Sequence, residues 1–233
     1  MSALLPALIA AQLMAFPAEG PVPPPWRVNA VSKKVPLTQY RIVRIDGVTG
    51  VEGNADASMA LLGREISADL AATPMLCWRW RIDAPVAEAN MMTRQGDDYA
   101  ARVYVGFDIP GKQLSMGVKL KLALARRLFP GAIPDAAINY VWDNRYPVGT
   151  TAPNAYTDRA RMVVAQTGSA NAGRWTAQRA DVARDFARAF PGAAGKPTLV
   201  AVAVDTDQTK GKARGWFADL HFVGRDQACR FPA

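Results

Sequence analysis

From Tyr99 to Phe107 the chain alternates with a period of two. Tyr99, Ala101, Val103, Val105 and Phe107 fall on one face of an extended strand, and Asp98, Ala100, Arg102, Tyr104 and Asp108 fall on the other. A helix cannot satisfy that period, so the stretch must be a strand with a core face and a polar face. The same character recurs in TQYRIVRID, CWRWRID, INYVWDN, ARMVVAQTG, TLVAVAVDTD and GWFADLHFV, each rich in β-branched or aromatic residues and bounded by turn formers. Regular strand–helix–strand alternation is missing. This speaks against a doubly wound parallel sheet and predicts an all-β-dominated antiparallel β-sandwich with one or two packed helices. At 233 residues, 50% of them hydrophobic, the chain can bury a single core, so one domain is expected over residues 26–233.

Two segments break the pattern. In SMGVKLKLALARRLFPG, Leu120, Leu124 and Leu128 share a stripe, which predicts a helix over residues 118–129 closed by Pro130–Gly131. In TAQRADVARDFARAFPG, Val182, Phe186 and Phe190 follow i, i+4, i+8 and predict a second helix. Both are expected to pack on the sandwich.

Residues 1–25 read differently. MSALLPALIAAQLMAF carries no charge and is too short to span a bilayer comfortably, but it suits the hydrophobic region of a secretory signal, with small residues near Ala18 for cleavage. No Lys or Arg precedes the apolar run. PVPPP follows as a spacer of polyproline character outside the core. The expectation is a periplasmic or secreted protein with no transmembrane span in the mature chain. Cys77 and Cys229 either form one disulfide or, in the other reading, Cys77 is a small buried residue. With no CxxC spacing and no Cys/His cluster, zinc is not expected.

The net charge of +8 favours anionic partners. The basic residues are scattered and form no recognised module, so nucleic acid is not expected; a glycan or an anionic envelope ligand is.

The landmarks CWRWRID, GDDYAARVY, NYVW and DTDQT occur in that order. Their succession resembles a bacterial family of unknown function, DUF3047, over nearly the whole chain from Trp26 onward. The resemblance implies export and a jelly-roll sandwich of the kind seen in carbohydrate-binding and polysaccharide-degrading proteins. It implies no particular activity.

Several residues are candidates for chemistry. If the CWRWRID strand pairs with the Arg102 strand, Arg79 and Arg81 lie beside Asp98, Arg102 and Tyr104 on one face. That face is either a salt-bridged network or a ligand groove, since guanidinium forks suit carboxylates and sugar hydroxyls. Tyr146 and Tyr156, among Asn, Asp and Arg, are candidates for a groove margin, whereas Trp142 is cheaper to explain as core. Asp205 and Asp207 either supply oxygen ligands to a structural calcium ion, the one cofactor considered, or end a strand in an Asx turn. His221, the only histidine, shares strand parity with Phe217 and Asp219, opposite an apolar set of Trp216, Ala218, Leu220 and Phe222.

Three functions remain open: a non-catalytic glycan or envelope-ligand binder, a polysaccharide-active enzyme, and a structural protein with an ionic network. A lyase would use Arg102, Tyr104 and His221, with Arg79 as a further cation; a glycosidase would need two facing carboxylates, formally Asp98 and Asp108. Nothing in the sequence sets the oligomeric state.

Overall fold

The computed structural model describes residues 13–128 and 133–232. The signal-like residues 1–12 and the Pro130–Gly131 stop lie outside the described residues, as does the side chain of Leu128. The elements are β1 (Arg27–Ala30), β2 (Gln39–Ile45), β3 (Val48–Asp56), β4 (Ala60–Glu65), β5 (Met75–Ile82), β6 (Arg102–Asp108), α1 (Met116–Leu128), β7 (Ala136–Asp143), β8 (Thr151–Asn154), β9 (Thr157–Thr167), β10 (Thr176–Asp181), α2 (Val182–Ala189), β11 (Lys196–Ala203) and β12 (Lys212–Val223).

They form the expected jelly-roll sandwich. A seven-stranded sheet runs β1-β4-β11-β6-β7-β9-β8 and a five-stranded sheet runs β10-β5-β12-β3-β2. All strand pairs are antiparallel except β7 with β9. The core lies between the sheets. Val103, Val105 and Phe107 of β6 are fully buried there, as their alternation predicts, and so are Trp78 and Trp80 of β5. Aromatic contacts join the two layers: Trp78 packs against Tyr140 at 5.4 Å between ring centroids, and Trp80 against Trp142 at 5.7 Å. α2 closes one end by setting Phe186 on Phe107, and the hydroxyl of Tyr140 donates to Asp185 at 2.9 Å.

Four expectations are corrected. First, β5 does not pair with β6. It lies between β10 and β12 in the other sheet, because the alternation of Trp78 and Trp80 with Arg79 and Arg81 specifies a face and not a neighbour. Second, the segment TAQRAD is β10, paired with β5, and only VARDFARA is helical. Asp181 caps that helix by accepting from the Arg184 amide at 3.1 Å. Third, the parity of β12 changes halfway. A bulge between Ala218 and His221, with Asp219 at φ 58°, puts Phe217 and then Leu220 and Phe222 into the core. Trp216 lies beneath the guanidinium of Arg81 instead. Fourth, α1 buries Leu122, while Leu120 and Leu124 face solvent.

The folded unit also begins before Trp26. The amides of Leu13 and Met14 donate to the carbonyl of Leu220, the Asp219 amide donates to that of Met14, and the Met14 side chain is fully buried. The bulge in β12 is therefore the dock for this segment. Cys77 and Cys229 are disulfide-bonded, Cα to Cα 5.7 Å, fastening the C-terminal tail to β5.

Met14→Ala removes a fully buried side chain from the junction. Chemical denaturation is expected to show a loss of about 2–5 kcal/mol; a loss within error would mean that the segment N-terminal to Trp26 adds nothing to the fold.

Candidate functional site

The outer face of the seven-stranded sheet carries a cleft of about 880 Å³. One cross-strand row explains its floor: Arg27 of β1 stands opposite Gly63 of β4, Gly63 opposite Ala201 of β11, Ala201 opposite Tyr104 of β6, and Tyr104 opposite Asn139 of β7. The two smallest residues sit mid-row, so the sheet is hollow there. Val31, Val35, Leu61 and Leu199 make one wall apolar. At the other end stand Asp97, Asp205, Asp207 and Gln208, with Asn154 and Tyr156 contributed from the β8–β9 hairpin.

Arg102 organises the polar end. It is buried, and all three of its nitrogens donate hydrogen bonds within the protein. Nε donates to Asp205 Oδ1 at 2.8 Å and Nη2 to Asp205 Oδ2 at 2.6 Å. Nη2 also donates to the Asp97 carbonyl, while Nη1 reaches Asp97 Oδ1 at 3.1 Å and the Tyr104 hydroxyl at 3.2 Å. The ring of Tyr99 lies 4.5 Å beneath the guanidinium carbon. Burial alone would lower the pKa of Arg102, but Asp205 and Asp97 raise it well above its ordinary value and keep it charged.

The remaining acids are fixed by backbone. Asp98 accepts from the amides of Gln208 at 3.0 Å and Thr209 at 2.6 Å, so it pins the DTDQT turn and stands away from the cleft wall. The Asp97 carboxylate accepts from Asn154 Nδ2 at 2.9 Å. Burial, and then the charge of Asp98, push the Asp207 carboxyl above the usual range, with Arg102 opposing. Tyr156 is 48% exposed at the rim, donating to Gln208 Oε1 at 2.7 Å beneath the guanidinium of Arg94.

Other expected site residues lie elsewhere. Arg79 pairs with Asp219 and donates to the Pro232 carbonyl at 3.0 Å, while Arg81 pairs with Asp46 at 2.6 Å; both belong to the five-stranded sheet. His221 belongs to that sheet too, opposite Cys77. Its Nε2 accepts from the Arg230 amide at 3.0 Å, and burial lowers its pKa. Tyr146 turns away to donate to Asn90 Oδ1 at 3.0 Å. Asp98 precedes β6 and is tied to the Gln208 and Thr209 amides, whereas Asp108 closes β6 about 20 Å along the strand from Arg102, opposite Lys196, so the two do not face each other as a pair.

The geometry also bears on a lyase and on calcium. The residues named for a lyase are not brought together: Arg102 is held by Asp97, Asp205 and Tyr104, burial raises the pKa of the Tyr104 phenol well above its ordinary value, and His221 is in the other sheet. Carboxylate oxygens of Asp98, Asp205 and Asp207 come within 4.8 Å of one another. Both Asp205 oxygens also face Arg102 and both Asp98 oxygens face amides, so a cation there would share these carboxylates with hydrogen bonds already made.

The cleft includes residues that the sequence did not single out: Asn139, Asn154, Gly63 and Ala201. A glycine inside a strand, as in ALLGRE, is a signal for such a hollow, but only where the strand itself is recognised.

The family model described as "Protein of unknown function (DUF3047)" matches residues 24–221. No curated protein matches the chain. Among solved structures, the fold is similar to the family 11 carbohydrate-binding module of the cellulosomal cellulase Lic26A-Cel5E of Clostridium thermocellum, at TM-score 0.45 and 6% identity, over 95% of this chain and 98% of that one. It is similar to the family 30 module of Cel9D-Cel44B of the same organism at TM-score 0.39 and 10% identity, over 95% and 94%. The family GH12 endoglucanase 3 of Trichoderma harzianum gives TM-score 0.41 and 5% identity, over 92% and 96%.

Arg102→Ala leaves Asp97 and Asp205 without their cation and is expected to cost about 3–5 kcal/mol by denaturation. Arg102→Lys is expected to recover less than half of that, because an ammonium cannot span both Asp205 oxygens. Full recovery would show that charge alone suffices.

Asp207 has a folded pKa above its unfolded one, so ionising it costs folding free energy as pH rises from the ordinary carboxylate range through the raised value. Asp207→Asn is therefore expected to raise Tm at pH 7 and to leave it unchanged near pH 3, about a unit below the model-peptide value. Equal effects at both pH values would refute this assignment.

Proposed function

This chain belongs to the family of proteins of unknown function DUF3047, and we propose that it is a glycan-binding protein whose site is the cleft on the seven-stranded sheet. One observation carries the reading: the hollow above Gly63 and Ala201 joins an apolar wall to an array of hydrogen-bonding groups already held in place. A pyranose needs that combination, because its ring faces are apolar and its hydroxyls seek acceptors and amide groups. Asp97, Asp207 and Asn154 are the acceptors and donors we assign to hydroxyls, and Tyr156 is the rim aromatic we assign to a ring face.

The charge balance narrows the class. Asp97, Asp205 and Asp207 line this end of the cleft beside one guanidinium that already donates to Asp97, Asp205 and Tyr104, so this end disfavours an acidic sugar. The ligand portion placed there is neutral or amino-bearing. This replaces the acidic glycan suggested by a row of three arginines, since two of them lie on the other sheet.

Export belongs to the same reading, with the segment from Leu13 onward retained, because cleavage near Ala18 would strip the buried Met14 from its dock on β12. The Cys77–Cys229 disulfide supports an oxidising compartment, and among the described residues no helix is long and apolar enough to cross a membrane.

A second reading is favoured by Asp207, a carboxyl held above its usual pKa in a cleft that also contains Asp97. That is the pattern of an acid and its partner in glycoside hydrolysis. The two readings separate in one experiment. Neutral and amino-sugar oligosaccharides are screened by calorimetry and for release of reducing ends. Binding without turnover is expected. A Cβ at Gly63 meets nothing closer than 3.4 Å, so a side chain there points into the hollow without displacing backbone. Gly63→Leu is accordingly expected to abolish binding at unchanged Tm, Tyr156→Ala to weaken it about tenfold, and Arg79→Ala to leave it intact. Turnover abolished by Asp207→Asn would install the hydrolase instead, and failure of every oligosaccharide to bind would remove both.

A further inference from the structure

α1 presents an apolar stripe to solvent. Met116, Leu120 and Leu124 are 77%, 74% and 56% exposed, while Leu122 on the opposite side is buried against the protein. The three follow i, i+4, i+8 and so lie in a row about 12 Å long. The other exposed large hydrophobic residues, such as Leu37, Met92 and Val148, are scattered over separate elements. A clustered stripe of this kind marks an interaction site.

Charge identifies what covers it. Residues 109–134 contain Lys112, Lys119, Lys121, Arg126 and Arg127 and no Asp or Glu. Arg126 is occupied, donating to the Ile133 carbonyl at 3.0 Å and to Asp135 at 2.9 Å, and this fixes the end of the helix to the sheet. Lys112, Lys119, Lys121 and Arg127 are exposed. On a helical projection Lys119 and Lys121 flank the leucine stripe on its two sides, and Arg127 lies along it. Long basic side chains beside an apolar stripe match a layer that is anionic outside and apolar just beneath. That layer is the headgroup region of a bilayer containing acidic lipids.

We propose that α1 is an interfacial helix that seats the protein on an anionic lipid surface, with Met116, Leu120 and Leu124 entering the acyl boundary. At 13 residues it lies in the plane of the surface and does not span it. The Ile133 carbonyl that anchors Arg126 belongs to a residue lining the cleft, so the C-terminal end of α1 is tied to the cleft lining. The proposal does not depend on the cleft's ligand being a glycan.

The test is sedimentation of the full chain with vesicles of phosphatidylcholine alone and of phosphatidylcholine mixed with phosphatidylglycerol. Binding is expected to the mixed vesicles, to weaken as salt is raised, and to be absent with phosphatidylcholine alone. Leu120→Ser with Leu124→Ser, and separately Lys119→Gln with Lys121→Gln, are each expected to weaken it by more than about tenfold. Both pairs are exposed, so Tm and circular dichroism are expected to stay unchanged. Leu120→Trp supplies an independent readout, its fluorescence shifting to the blue on addition of mixed vesicles. Three results would overturn the proposal: no sedimentation with acidic vesicles, sedimentation indifferent to the leucine pair, or a concentration-dependent dimer in solution abolished by that pair, which would make a second copy of the chain the occupant.

Discussion

Arg102 is the point through which three separated pieces of chain are held together. Its guanidinium binds the backbone and side chain of Asp97 before β6, the Tyr104 hydroxyl within β6, and both oxygens of Asp205 after β11. The strands on which the last two depend are about a hundred residues apart in sequence, and adjacent in the sheet. Taking Asp97, Asp205 and Arg102 out of water is costly, and the cost is offset because the guanidinium and the two acids pair with each other directly. The polar end of the cleft exists because this network sets the position of both loops.

The same network decides what the cleft can accept. An arginine facing a groove is often read as a ready anion receptor. Here its nitrogens already donate within the protein, and the three carboxylates of Asp97, Asp205 and Asp207 beside one cation leave an acceptor-rich surface. The apolar wall is equally a result of register. Gly63, Ala201 and Tyr104 fall in one row because β4, β11 and β6 align at those residues, and a shift by one residue would replace the hollow with core side chains.

The far side of the sandwich is a separate unit of charge. Arg79, Asp219, Arg81, Asp46 and His221 fasten the C-terminal tail and the outer face of the five-stranded sheet, beside the Cys77–Cys229 bond. The bulge at Asp219 both flips the face of β12 and opens the carbonyl of Leu220 to the N-terminal segment. Structural charge and cleft charge are thus separated by the whole hydrophobic layer.

How much of this was legible beforehand follows from the range of each interaction. The strand at Arg102, its buried face of Val103, Val105 and Phe107, the helix at Val182, Phe186 and Phe190, and the sandwich class are encoded in local periodicity, which side-chain direction converts into burial without reference to the rest of the chain. Strand partners are not encoded that way. Arg79 and Arg102 carry the same alternation signal, yet they lie on opposite sides of the molecule, because pairing depends on which strands can bury their apolar faces together. Likewise the leucine row of α1 correctly announced a helix but not which side of it the sandwich would cover. The cleft, built from Gly63, Ala201, Asn139, Asn154 and Asp97 across four strands and one loop, emerges only when those elements are set side by side, since its shape is a property of register and its electrostatics a property of distances through space.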